Sequence, residues 1–137
     1  MLPERSPLNR APLRLLIVDD SPVARRLLQE AFESQDYDVT TANDGAEGLE
    51  KVRQHCPDVI VTDSVMPNID GYAFLRRLRE NPETRLIPVV MLTASECSEG
   101  QGTEDVQPDA YASKSSDWPT LLSLVGALIA SRETDPV

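Results

Sequence analysis

Apolar side chains along this chain fall into two alternating patterns. Residues 15–18 (LLIV), 59–61 (VIV) and 89–92 (VVML) are short continuous runs rich in branched residues, as expected of parallel strands covered on both faces. They predict three central strands. Residues 39–42 (VTTA) and 110–113 (AYAS) are smaller and more polar, which suits partly exposed strands at the margins of a sheet. Between the runs the apolar period lengthens to that of helices. In residues 22–34, Val23, Leu27 and Ala31 with Leu28 and Phe32 one step round form one stripe, with Ser21 as N-cap and Pro22 at the first helical position. Ala46, Leu49 and Val52 mark a second helix, and Tyr72, Phe74, Leu75 and Leu78 mark a third that stops before Pro82. A fourth, in residues 96–106, is predicted to be short, irregular or mobile: Gly100 and Gly102 each cost about 1 kcal/mol relative to Ala, and Val106 is its only bulky aliphatic. Leu121, Leu122, Val125, Leu128 and Ile129 mark the fifth, led in by Asp117.

Five strands alternating with five helices predict an open, doubly wound α/β sheet, because parallel neighbours need right-handed helical crossovers. With VTTA and AYAS as edges, the strand order 2-1-3-4-5 accommodates all five runs. A flexible Pro-rich tail is expected over residues 1–12, one domain over 13–132 and a short tail over 133–137. The 137-residue length agrees with a single core.

Charge narrows the function. Thirteen Lys and Arg against 23 Asp and Glu give −10, the wrong sign for neutralising nucleic-acid phosphates, so direct DNA or RNA binding is not expected. The first 14 residues hold Arg5, Arg10 and Arg14 against Glu4 alone, so the remainder is more acidic than the total suggests. No apolar run approaches the roughly 20 residues of a membrane span, and the N-terminus lacks a signal-peptide apolar region; the expected location is the cytoplasm. Cys56 and Cys97 form no CxxC pair, and His55 has no second histidine beside it, so reduced thiols are expected rather than a zinc site or a disulfide.

Candidate chemistry gathers after the strands. The first run leads into Asp19 and Asp20, the third into Asp63, the fourth into Thr93 and the fifth into Lys114. In a parallel sheet these ends share one edge, with strands about 4.8 Å apart, at the crevice where such sheets bind ligands. Two carboxylates about 4 Å apart repel by roughly 4 kcal/mol at an effective dielectric of 20, so positive charge must gather there. Lys114 supplies one charge and a hard divalent cation, most naturally Mg²⁺, supplies two. Carboxylate-held metal beside a Lys and a Thr hydroxyl suits a phosphoryl group; with a carboxylate as nucleophile the product is an aspartyl phosphate, and Asp63, at the end of the central strand, is the candidate.

The segments LLIVDDS, VIVTDSVMPNIDG, VVMLTA and YASK, in this order and spacing, resemble the receiver domain of bacterial two-component response regulators over residues 13–132, and DDSPVARR is similar to the small chemotaxis and twitching-motility type. The resemblance implies a flavodoxin-like fold and a phosphoacceptor domain rather than an enzyme acting on other substrates. Asp63 would accept phosphate from a histidine kinase or histidine phosphotransfer protein, and a separate downstream protein would read the change. Asp20, Asp63 and the backbone carbonyl of Val65 would ligate Mg²⁺ directly, with Asp19 acting through a metal-bound water. Lys114 would pair with a phosphoryl oxygen, Thr93 would bond another, and Tyr111 would follow as an aromatic switch. Simpler roles stand beside these: Asp19 and Asp20 as helix caps, Thr93 as a strand end, Lys114 as a solvated charge, Tyr111 as an edge-strand aromatic, Arg25 and Arg26 as a solvated helix face or a kinase-docking surface. Met66, Pro67 and Gly71 read as loop shape, with Gly permitting a turn that keeps Asp63 accessible.

This chain departs from the family pattern in three places. Ser115 replaces the usual Pro after Lys114, so the cis peptide often found there is not expected. Gln107-Pro108-Asp109 replaces a Gly-Ala pair before the fifth strand, which alters the output face. Val65, two residues past the acceptor, offers an attacking water no side-chain hydrogen bond, from which slow self-dephosphorylation is expected. Three competing functions remain. A haloacid-dehalogenase-like phosphatase would need a DxDxT-type signature that Asp19-Asp20-Ser21 does not match. A phosphorylation-independent scaffold would not need the acceptor set. A nucleotide-binding module would need a Gly-rich loop after the first strand.

Overall fold

The computed structural model describes residues 12–66, 70–93, 106–114 and 118–133. Its elements run β1 (Arg14–Val18), α1 (Pro22–Glu33), β2 (Asp38–Ala42), α2 (Gly45–His55), β3 (Val59–Asp63), α3 (Gly71–Glu80), β4 (Val89–Thr93), β5 (Ala110–Ser113) and α4 (Trp118–Glu133). The five strands are all parallel, in the order β2-β1-β3-β4-β5. Thus VTTA and AYAS are the edges, as their weaker apolar character predicts. The tail over residues 1–11, Asp117, Ser115, Pro67, Cys97 and most of the predicted fourth helix lie outside the described residues, so the helix named α4 here is the fifth in the sequence pattern. Val106, expected in that fourth helix, is described and buried, in non-helical backbone.

Alternation along the strands divides the core in two. Leu16, Val18, Ile60, Val89 and Met91 face α2 and α3, where Val52, Phe74, Leu75 and Leu78 close over them. Leu15, Ile17, Val59, Val61, Val90 and Leu92 face α1 and α4, meeting Leu28, Phe32, Leu121, Val125 and Ile129. Both faces of the three central strands are therefore covered, which is why their sequences read as unbroken apolar runs.

Two helices turn differently from their sequence pattern. On α1 the buried residues are Leu28 and Phe32, whereas Val23 and Leu27 are 69% and 47% exposed. The apolar stripe is wider than the face the sheet covers, and its outer edge stays in solvent. On α2 Ala46 is exposed, and Gly45, Gly48 and Val52 are buried. A Cβ at Gly48 would stand 3.1 Å from the Phe74 ring and 3.2 Å from Val18 Cγ2, so absent side chains, invisible to a hydrophobicity count, seat this helix.

The substituted segment before β5 carries its own brace. Asp109 accepts from Val89 N and Arg79 Nη2, both at 2.8 Å, while Arg79 Nη1 donates to the Arg85 and Ile87 carbonyls at 2.9 Å. The end of α3, the start of β4 and the start of β5 are thereby tied together at the edge of the sheet opposite the acidic residues.

Candidate functional site

The sheet's carboxyl edge brings the predicted acids together. Asp19 follows β1, its N–H donating to the Ala42 carbonyl at 3.1 Å, and Asp63 is the last residue of β3. One ligand atom from each of Asp19, Asp20 and Asp63 lies within 4.8 Å of the others. Asp19 is fully buried and Asp63 is 4% exposed, while Asp20 faces solvent. Lys114, just past β5, reaches across β4: its Nζ lies 3.0 Å from Asp63 Oδ2 and 3.6 Å from Asp19 Oδ2.

Local structure holds these groups. Asp19 Oδ1 accepts from Ser21 N at 2.9 Å, and Ser21 Oγ caps α1 by accepting from Ala24 N at 3.2 Å. Asp19 and Ser21 thus act in series, and the capping role available to Asp19 does not compete with its place in the cluster. Arg25 Nη1 donates to the Asp19 carbonyl at 2.8 Å and Arg26 pairs with Glu30 one turn along α1, so Arg25 braces the site from its own helix. Asp63 Oδ1 receives the Val65 N–H at 3.4 Å. The Lys114 N–H donates to the Thr93 carbonyl at 2.7 Å, and Thr93 is buried at the end of β4.

Gly71 has a different task from the turn its sequence context suggests. No described glycine has positive φ. Instead, a Cβ at Gly71 would overlap the Asp63 carbonyl oxygen and stand 2.9 Å from Ser64 Cα, and the Gly71 N–H donates to the Ser64 carbonyl at 3.1 Å. The first turn of α3 is pressed directly onto the backbone that carries Asp63, an approach only glycine allows.

Electrostatics follow from this packing. Burial raises the Asp63 carboxyl above its ordinary range, with the Asp19 charge adding to the rise and the Lys114 ammonium and Val65 N–H opposing it. For Lys114 burial acts downward, but the bond to Asp63 and the charges of Asp19, Asp63 and Asp20 outweigh it, and the net direction is up. Asp19 Oδ2 is buried without a hydrogen bond; at 3.6 Å from Lys114 it feels the charge without sharing a proton. An unmet buried carboxylate oxygen beside two further carboxylates is what a hard divalent cation satisfies, so the donor set fits Mg²⁺. A cleft of about 280 Å³, lined by Asp19, Ser21, Leu27, Leu28, Lys114 and Leu121 among others, opens beside the site.

Tyr111 stands apart from the acids. Its hydroxyl receives that of Tyr72 at 3.3 Å and donates to Gln107 Oε1 at 3.1 Å. The partnership was not legible in the sequence, where Tyr72 is only one member of the α3 stripe. Val65, two residues past Asp63, is 72% exposed.

Among the described residues no helix is long and apolar enough to cross a membrane. The family described as "Response regulator receiver domain" matches residues 15–125. Protein PilH of Pseudomonas aeruginosa is 35% identical over 123 residues, covering 85% of this chain and 98% of PilH. Response regulator Rre1 of Synechocystis sp. is 36% identical over 125 residues, covering 89% of this chain but 54% of Rre1, so the chain spans about half that relative's length. The receiver domain of sensor histidine kinase PA1611 from Pseudomonas aeruginosa, solved with a magnesium ion coordinated in its active-site cleft, superposes with a TM-score of 0.81 at 25% identity over 88% of this chain and 99% of that one. Sheet order, the acidic edge and these likenesses agree: the chain belongs to the response regulator receiver domains, the phosphoacceptor modules of two-component signalling.

Proposed function

We propose that Asp63 is the phosphoacceptor and that Asp19, Asp20, Asp63 and the Val65 carbonyl hold Mg²⁺, with Lys114, Thr93 and Tyr111 responding to the phosphoryl group. The observation that carries this reading is the gathering of three carboxylates within 4.8 Å with Lys114 bonded to Asp63. When bound, the cation neutralises charge on the phosphoryl oxygens and on the carboxylates around them.

An Asp63 carboxylate oxygen attacks phosphorus; the new P–O bond forms as the P–N bond to a phosphohistidine breaks, and the electron pair returns to the ring nitrogen. The ring leaves as neutral imidazole when its other nitrogen carries a proton. Lys114, kept cationic by the acids around it, shifts from the Asp63 carboxylate to a phosphoryl oxygen, and the Thr93 hydroxyl takes another. Arg25 and Gly71 hold the Asp19 and Asp63 backbones in place. A histidine kinase or phosphotransfer protein is the donor, approaching through the cleft beside Asp19 and Lys114. A separate protein reads the switched surface. The same reading puts the chain in the cytoplasm, where the ATP that charges such donors is held. Residues 13–132 form the working domain.

The phosphoryl group exerts its effect by shifting populations. A coupling of about 1 to 3 kcal/mol changes partner affinity roughly 5- to 150-fold. Intact mass after incubation with acetyl phosphate and Mg²⁺ tests the reading. One phosphoryl group is expected on the parent, and none on Asp63→Asn or with chelator present. Equal labelling of Asp63→Asn would overturn the assignment.

A further inference from the structure

The hydroxyl contact between Tyr72 and Tyr111 joins two elements that are both tied to Asp63. Tyr72 is the second residue of α3, and the first, Gly71, is pressed onto the Asp63 carbonyl. Tyr111 lies on β5 three residues before Lys114, whose ammonium bonds Asp63 Oδ2 and whose N–H meets the Thr93 carbonyl. β4 separates β5 from the acceptor strand β3, so the tyrosine pair is a second connection between the two sides of the site, independent of Lys114. Both rings are half-buried against the core cluster that contains Phe74 and Met91. Burial and the bond to Tyr111 raise the Tyr72 phenol above its ordinary range, which keeps it a neutral donor. The Tyr111 hydroxyl is engaged on both sides, receiving from Tyr72 and donating to Gln107.

We propose that Tyr72 is a positioning residue for Tyr111: its hydroxyl holds the Tyr111 ring in the arrangement that accompanies an unmodified Asp63 carboxylate, and releases it when phosphorylation favours another. The inference rests on the reading of Asp63 as phosphoacceptor and Tyr111 as the responding aromatic. A bond made in one arrangement and lost in the other biases their equilibrium by its full net worth. By linkage, the same bias opposes phosphorylation. Removing one neutral hydrogen bond should therefore lower the acetyl phosphate concentration for half-maximal phosphorylation by about 2- to 10-fold.

Tyr72→Phe keeps the ring and deletes the hydroxyl. The full chain, with its three tyrosines replaced by 3-fluorotyrosine, is followed by fluorine NMR, and phosphorylation by intact mass across an acetyl phosphate titration with Mg²⁺. Tyr37, packed edge-on to Phe32 with ring centroids 5.5 Å apart, serves as the internal reference. The expected result is a displaced Tyr111 resonance in unphosphorylated Tyr72→Phe, a lower half-maximal concentration, and no effect of Tyr72→Phe on that concentration in a Tyr111→Phe background. A merely structural role for Tyr72 predicts the same change in both backgrounds and would overturn the inference, as would an unchanged titration. Failure of the parent to take up phosphate at any concentration would refute the phosphoacceptor reading and this inference with it, whereas full labelling with identical titrations refutes the inference alone.

Discussion

Asp19→Asn is expected to make the metal-free protein more stable, although it removes a residue bonded to the start of α1 and paired in charge with Lys114. The three carboxylates lie within 4.8 Å of one another, so each pair repels by at least about 3.5 kcal/mol at an effective dielectric of 20. Asp19 takes part in two such pairs. Against this, its attraction to Lys114 at 3.6 Å is worth about 4.6 kcal/mol on the same scale. The Lys114 side chain is 34% exposed and Asp20 faces solvent, so water screens that attraction and the repulsion between Asp19 and Asp20, while the repulsion between buried Asp19 and Asp63 is screened least. Neutralising Asp19 thus relieves about 3.5 kcal/mol of repulsion with Asp63 and a screened part of that with Asp20, removes a fully buried charge, and forfeits a screened attraction of less than about 5 kcal/mol, a net gain of about 1 to 2 kcal/mol. The bond from Ser21 N is kept by the Asn carbonyl. For a domain of this size the gain is several degrees in Tm. Thermal unfolding in low salt with chelator reads it directly. Adding Mg²⁺ should stabilise the parent in proportion to the logarithm of its concentration and stabilise Asp19→Asn far less, reversing their order. A variant less stable than the parent in chelator, or one raised equally by Mg²⁺, would refute the electrostatic reasoning.

Other expectations test separate parts of the structure. Gly71→Ala forces a Cβ against the Asp63 and Ser64 backbone and should cost about 1–3 kcal/mol in urea unfolding while slowing labelling by acetyl phosphate; an unchanged unfolding midpoint would show that the approach is not tight. Arg79→Ala removes three bonds, two to carbonyls and one to Asp109, and should cost about 2 kcal/mol, with Arg79→Lys restoring only part because an ammonium lacks the guanidinium fork. Val65→Asn places a hydrogen-bonding group beside the acceptor and should shorten the phosphoryl lifetime about 2- to 10-fold; slower loss than in the parent would dismiss the idea that Val65 protects the phosphate. Burial raises the Tyr37 phenol in the folded state. Its stabilisation is therefore complete below the unfolded tyrosine value of about 10 and is lost as pH rises through the folded value. Urea unfolding between pH 9 and 11 should show stability falling more steeply in the parent than in Tyr37→Phe.

Much of the fold and the acidic site is legible in the sequence. All five strands coincide with the predicted runs to within two residues at either end, and their order follows from which runs are weakest. The meeting of Asp63 and Lys114, 51 residues apart, was legible because parallel strands deliver their carboxyl ends to one edge. The inward face of α1 was not. Val23 and Leu27 satisfy the helical period as well as Leu28 and Phe32 do, and only the sheet beneath selects between them. Gly48 and Gly71 carry no apolar signal, yet each marks a close approach between backbone and core.

Periodicity and charge are properties of neighbouring residues, so the sequence by itself determined the kind of each described element, the edge and centre of the sheet, and the sheet end where the acids and Lys114 gather. Side-chain partnerships across 30 or 39 residues, such as Arg79 with Asp109 and Tyr72 with Tyr111, were decided only by the tertiary structure. They depend on how far each helix is rotated and how closely it sits on the sheet, and those quantities are set by the volumes of the residues beneath it and not by its own pattern.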